Sequence, residues 1–199
     1  GTVGCLQQYN KPATPVPGTG SESVLTADEL CGAFSEATGK ANNNPYLMHL
    51  VVRKGSDYFL YVYNAKSNTS ANDPLTLKTV VPIPAEVGRE AAVWFGAFST
   101  RYGFYVVGNR IMKFDYLNIT QFAPEEKPFR LYDDKYEIVD VFVLIGGTGL
   151  KDQDDCTVVY LYDREKKTTT IDVYNTLTGE DLHTYEDILP GRGVDFIKK

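Results

Sequence analysis

Basic charge, histidine, paired cysteine and long apolar runs are all scarce in this 199-residue sequence, and each shortage removes a class of function. Lysine and arginine total 20 against 26 aspartates and glutamates, a net charge of −6. A protein that grips phosphates needs a concentrated cationic field to release counterions, so a nucleic-acid partner is excluded. No apolar run approaches the roughly 20 residues that a membrane-spanning helix needs, so no transmembrane segment is expected. The three cysteines, Cys5, Cys31 and Cys156, are odd in number and have no CxxC spacing. That argues against a structural zinc site and against a closed disulfide framework, and leaves room for one pairing.

Catalytic signatures are missing as well. None of the patterns GxSxG, GxxxxGK[ST] and GxGxxG occurs, so neither a nucleophile elbow nor a phosphate cradle is signalled. His49 and His183 stand outside any HExxH motif and read as surface or packing histidines. Gly146-Gly147-Thr148-Gly149 has no Lys-Ser/Thr behind it and reads as a plain turn. Asp152, Asp154 and Asp155 form an acidic loop of the kind that can gather calcium, but the EF-hand glycine and distal glutamate are absent, so a solvated turn is expected. Glu125-Glu126 and Asp133-Asp134 read as loop charges, and the sequons at Asn68 and Asn118 carry weight only in a glycosylating host. No catalytic residue, metal site or cofactor is assigned.

What the sequence does hold is apolar and aromatic: 43% hydrophobic residues, with 14 Tyr, 10 Phe and one Trp. That mixture suits half-buried pleated surfaces, where a ring packs inward and a hydroxyl reaches water. Residues 1–24, with Pro12, Pro15, Pro17, Gly18 and Gly20, read as a flexible linker, and residues 25–199 as a single β-rich domain. The opening Gly1-Thr-Val-Gly-Cys lacks an initiating Met, so a trimmed N-terminus is expected. Thr26 and Glu29 sit as a capping box, Ala27, Leu30, Cys31 and Phe34 recur at helical spacing, and Gly39 is placed to stop the turn. These predict one short N-terminal helix; the alternative is a strand–turn segment over Phe34 to Lys40.

From Tyr46 the pattern has period two with frequent turn signals. Strands are predicted over 46–54, 57–65 and 75–84, the last lying at an edge or ending early because Pro82 and Pro84 lack ladder donors. A buried strand over 91–99, a hairpin around Gly108-Asn109, an outer edge after Ile119 and a strand over 136–145 follow. Residues 157–162 pair with 168–174, and a last strand covers 182–185 after the turn at Asn175 to Glu180. Trp94, between Val93 and Phe95, reads as core, with stacking on a sugar ring the minority view. Tyr102, Tyr105 and Tyr132 read as exposed and as weaker candidates for such stacking.

The turn-plus-aromatic hairpins begin near Asp57, Thr100 and Cys156, and spacings of this order suggest four-stranded sheets repeated as propeller blades. The fold class expected is mainly β: antiparallel β-propeller-like repeats of three to four blades, as in a fragment or a small ring, with a β-sandwich as the alternative. The proline- and glycine-rich lead after Cys5, followed by YFLYVYNAK, YGFYVVGNRIMKFDY and VVYLYDREKKTTTIDVYNTLTGE, resembles the C-terminal region of Bacteroidetes surface lipoproteins of the PKD-like group. The resemblance covers Tyr46 to Ile197 and rests on blade texture. It implies an exported, lipid-anchored protein at the cell surface or facing the periplasm, with a polysaccharide or an outer-membrane protein as partner. The function expected is therefore a non-catalytic binding or scaffold domain in glycan capture. Two alternatives stand beside it: a protein–protein interaction module, and a propeller-type glycoside hydrolase or lyase, for which Asp140 and Asp115 are the nominated acid and base.

Overall fold

The computed structural model describes residues 27–36, 46–65, 76–96, 102–116, 119–144 and 155–193. The strands in chain order are β1 (Glu29–Glu36), β2 (Tyr46–Lys54), β3 (Asp57–Ala65), β4 (Thr76–Ile83), β5 (Val93–Gly96), β6 (Tyr102–Val107), β7 (Arg110–Asp115), β8 (Arg130–Leu131), β9 (Tyr136–Leu144), β10 (Cys156–Asp163), β11 (Thr168–Asn175) and β12 (Asp181–Pro190), with one helix, α1 (Ala85–Glu90), between β4 and β5. They form three four-stranded antiparallel sheets, β1–β4, β5–β8 and β9–β12, each with chain neighbours paired in order. Among the described residues no helix is long and apolar enough to cross a membrane. The chain divides into two compact units, the first built on β1–β4 with α1 and residues 116–123, the second on the other two sheets.

The expected N-terminal helix is strand β1. Its apolar spacing satisfies a bulged strand equally well: the pairing with β2 shifts at Cys31, so Leu30 and Phe34 fall on opposite faces, opposite Val52 and His49 respectively. Pairing with β2 gives the segment backbone partners that a solitary helical turn would have to find within itself, and local propensity yields to that context. Arg53 fastens the start of the strand through Glu29, with Nε donating at 3.1 Å, and the Asp28 N–H donates to the Arg53 carbonyl at 2.8 Å. Thr26 and Gly39, the proposed helix signals, lie outside the described residues.

Strand β4 is an edge strand as expected, and Pro82 stands opposite Phe59 on it. The sequence pattern predicts little helix beyond residue 45, and the six-residue α1 follows β4 at once. Six residues are too few to hold a helix in isolation, so packing must carry it. Gly88 lies so close to the Tyr58 ring that a Cβ there would overlap it, which explains a glycine in mid-helix. One face of the β1–β4 sheet buries Leu47, Val51, Leu60, Val62 and Val81 almost completely. At roughly 1.5–3 kcal/mol for each fully buried Val or Leu, this face is a large stabilising contribution to the first unit.

In the second unit the two sheets pack face to face. Phe95, Phe104, Val106 and Ile111 meet Ile138, Val141, Val159, Leu161 and Tyr174 in one buried cluster. Trp94 is core, as expected, within 4.8 Å of the Tyr105 ring and 5.9 Å of Phe114. Tyr105 is buried rather than exposed, and Tyr102 and Tyr132 are half-buried, because each ring is enclosed by its sheet neighbours.

Two turns repeat one design. Asp163 Oδ1 accepts the N–H groups of Glu165 and Lys166 at 2.9 and 3.0 Å, and Asn175 Oδ1 accepts those of Leu177 and Thr178 at the same distances. In both, the fifth residue returns its N–H to the first carbonyl at 2.8 Å, from Lys167 to Asp163 and from Gly179 to Asn175. Short Asx side chains make such turns because they bond the backbone two residues on. The two donated N–H groups, Lys166 first, hold the Asp163 carboxyl below its ordinary value.

Candidate functional site

The β9–β12 sheet has a second face, turned away from β5–β8, and it stays partly open. Its residues follow from the register. Tyr160 stands opposite Asp140 on one side and Ile171 on the other, and Ile171 opposite Tyr185. Thr169 and Leu189 form the adjoining row. A bulge decides which side chains of β9 look this way: Tyr160 pairs with Asp140 and Leu161 with Ile138, leaving Val139 as the extra residue. Ile138 and Val141 therefore both enter the closed core at a spacing of three, while Asp140 and Phe142 turn to the open side.

There they border a groove of about 570 Å³ lined by Asp140, Phe142, Tyr160, Thr169, Leu189, Arg192 and Gly193. Its walls are chiefly apolar, and two of them are accessible: Phe142 is 38% and Leu189 49% exposed. The Phe142 and Tyr160 rings lie 5.8 Å apart at 35°, a tilted pair offering one continuous aromatic surface. The polar groups sit among them in fixed positions. Asp140 Oδ1 accepts the Val141 N–H at 2.8 Å, and Thr169 Oγ1 donates to the Gly191 carbonyl at 2.8 Å. Arg192 donates from both terminal nitrogens to the two carboxylate oxygens of Glu137, and its guanidinium stands 5.8 Å over the Tyr162 ring.

A second bulge fixes the far wall. Between the pairs Thr169–Leu189 and Ile171–Tyr185, β12 carries three residues against one, and Asp187 takes a left-handed φ of 51°. Thr168 Oγ1 donates to Asp187 at 2.6 Å and Lys166 Nζ at 3.2 Å, and these donors, the Thr168 hydroxyl first, hold its carboxyl below the usual range. The irregularity also spoils the outer edge of β12 as a template for another strand.

The residues singled out in the sequence are scattered. Asp140 lines the groove, but Asp115 belongs to β7 in the other sheet, and Asp140 is the single carboxylate among the described lining residues. The two-carboxylate chemistry nominated for them is thus not assembled at this groove. Tyr132 donates to Asp172, Glu125 pairs with Lys113 at 3.6 Å, and Asp134 accepts from Asn109. Asp155 is buried just ahead of β10, while Asp152, Asp154, Cys5, Asn68, Asn118 and Gly146 to Gly149 lie outside the described residues. Among the described residues, no group of three or more His, Cys, Asp or Glu side chains could hold a metal ion. His183 is exposed beside Tyr185, with ring centroids 4.2 Å apart, whereas His49 is fully buried in the other unit. Sequence reasoning missed Phe142, Tyr160, Leu189 and Arg192; the bulge at Val139, which alternation alone does not mark, is what brings Phe142 beside Tyr160.

No family model, no curated protein and no solved structure matches the chain.

Proposed function

We propose that this chain is a non-catalytic binding module that captures a glycan in the groove on the open face of the β9–β12 sheet, as part of an exported, lipid-anchored cell-surface protein. The observation that carries this reading is the groove itself: an accessible aromatic and aliphatic floor, Phe142, Tyr160 and Leu189, with Asp140, Thr169 and Arg192 set in it as hydrogen-bonding groups. A saccharide ring has the matching character, an apolar face of C–H bonds and a rim of hydroxyls. The resemblance to surface lipoproteins supplies the cellular setting.

The same reading takes the three meanders as propeller-like blades. Their second strands begin at Tyr46, Tyr102 and Cys156, intervals of 56 and 54 residues, and such regular recurrence of one four-stranded unit supports that interpretation.

The test is a glycan-array screen followed by calorimetry on the full chain. Phe142→Ala is expected to weaken the binding of any glycan identified by roughly tenfold, the loss of one ring contact. The melting temperature should fall only modestly, because the ring is already 38% exposed. A screen in which nothing binds, or a variant that binds as well as the parent, overturns the assignment. A second reading, docking of a protein partner, draws on the exposed Tyr185, Ile188 and Leu189 of β12; it predicts that Ile188→Ser, at a residue that does not line the groove, disrupts complex formation and leaves glycan binding untouched.

A further inference from the structure

Among the described residues Arg192 is the one cation lining the groove, and it is already engaged. Guanidinium and carboxylate groups make their strongest contacts as a two-pronged fork, and Arg192 presents that fork to Glu137. The other charge among the described lining residues is the Asp140 carboxylate, in a chain whose net charge is −6. An incoming carboxylate or sulfate would meet that negative charge and would have to displace Glu137 to reach the guanidinium. A neutral hydroxyl meets no such barrier and can donate to the carboxylate.

We propose that Glu137, by occupying the Arg192 guanidinium beside Asp140, makes the groove select uncharged saccharides over acidic ones. This rests on the assignment of the groove as a glycan site. Glu137 acts as a positioning residue: it does not line the groove, and it works by neutralising and orienting a side chain that does. The Tyr162 ring beneath the guanidinium holds the pair in place from the sheet side.

The experiment uses the full chain and matched probes: hexasaccharides of uronic-acid polymers, glucuronan and galacturonan among them, and their carboxyl-reduced neutral counterparts, with affinities measured by calorimetry at low and high salt. The parent protein is expected to bind the neutral member of a pair at least tenfold more tightly. Glu137→Gln is expected to raise the affinity for the acidic member at least tenfold, in a manner that fades with added salt, and to leave the neutral member within about threefold. Asp140→Asn should shift the ratio in the same direction. A merely structural part for Glu137 would lower both affinities together and leave their ratio unmoved, which overturns the proposal. A parent that prefers the acidic member also overturns it while leaving the glycan assignment standing. Failure to bind any member of either series removes the glycan assignment and the selectivity with it.

Discussion

Each compact unit encloses a titratable side chain, Asp172 in the second and His49 in the first, and the two are enclosed in opposite ways. In the second unit Asp172 is buried with a full set of partners: Arg130 donates to Oδ2 at 2.8 Å, the Tyr132 hydroxyl to the same oxygen at 2.6 Å, and Thr184 Oγ1 to Oδ1 at 3.1 Å. Arg130 reaches Asp181 at 2.6 Å and the Gly179 carbonyl at 3.2 Å, and lies over the Tyr174 ring at 4.8 Å. Burial works against the charged guanidinium, yet Tyr132 and Asp172 prevail and push its pKa upward. Burial, then the Asp172 charge, pushes the Tyr132 phenol up as well, so it stays a donor. In the first unit His49 has no such set. Its ring is fully buried, stacked on Phe34 at 4.5 Å and 8° and tilted against Tyr116 at 4.3 Å, and neither ring nitrogen makes a hydrogen bond among the described residues. Burial brings its pKa down to about 4; the nearby Phe34 backbone opposes this without reaching hydrogen-bond geometry, and the Lys78 charge assists it. A charge enclosed with partners can remain a charge, whereas a titratable ring enclosed by aromatics has to remain neutral.

The contrast breaks most visibly at Arg130. Arg130→Met keeps much of the volume and leaves Asp172 buried with only its two hydroxyl donors, at an expected cost of about 3–5 kcal/mol. Trp94, the sole tryptophan and a buried residue of the same unit, reports this directly through fluorescence in urea. A loss below about 1 kcal/mol would mean that Asp172 is satisfied without the guanidinium.

Acid sharpens the contrast from the other side. His49 has a folded pKa of about 4 against an ordinary 6.5, so the unfolded chain takes up its proton first as pH falls. The stability tied to the neutral ring is therefore whole above pH 6.5, declines from there toward pH 4, and is exhausted below it. The full decline is roughly 3 kcal/mol, because each tenfold difference in proton affinity between the folded and unfolded chain is worth about 1.36 kcal/mol. Imidazole NMR can follow this with little overlap, since His183 is the one other histidine. A midpoint near 4 is expected for His49; a midpoint near 6.5, the ordinary value, would show that the ring reaches water.

Neither arrangement is evident in the sequence, and the reasons are physical. The hairpins around Gly55, Gly108 and Asp163 are legible because turn chemistry and alternation are local properties, and β2, β3, β6, β7, β10 and β11 follow from them. Bulges are not local in this sense. At Cys31 a bulge gives a strand the spacing of a helix, and with a helix in place of β1 the hairpins expected near Asp57, Thr100 and Cys156 pass for equivalent, although Asp57 opens the third strand of its sheet and Cys156 the second of its own. At Val139 a bulge moves Asp140 and Phe142 to the open face, so the groove follows from a pairing shift rather than from a motif. Asp140 stands out in the sequence as the charge beside an apolar strand; apart from Phe142 on the same strand, its neighbours in the groove come from three other segments, β10, β11 and β12 with the residues just beyond it. His49 reads as one more strand residue until β1 and Tyr116 enclose it.

The finest form of the contrast is whether the buried ring's nitrogens can be dispensed with. His49→Phe preserves an aromatic ring between Phe34 and Tyr116 and removes two nitrogens that find no hydrogen-bond partner among the described residues. Deleting buried polar atoms that lack hydrogen bonds stabilises a protein, here by about 1 kcal/mol at pH 7. The larger gain lies in acid, because the substitution also abolishes the decline between pH 6.5 and 4. Urea unfolding of parent and variant at neutral and mildly acidic pH, followed by hydrogen exchange of the β2 and β3 amides, separates the two contributions. A variant that is less stable at neutral pH would show that His49 holds a bonding partner in solution, and the opposition between the two units would then be one of degree.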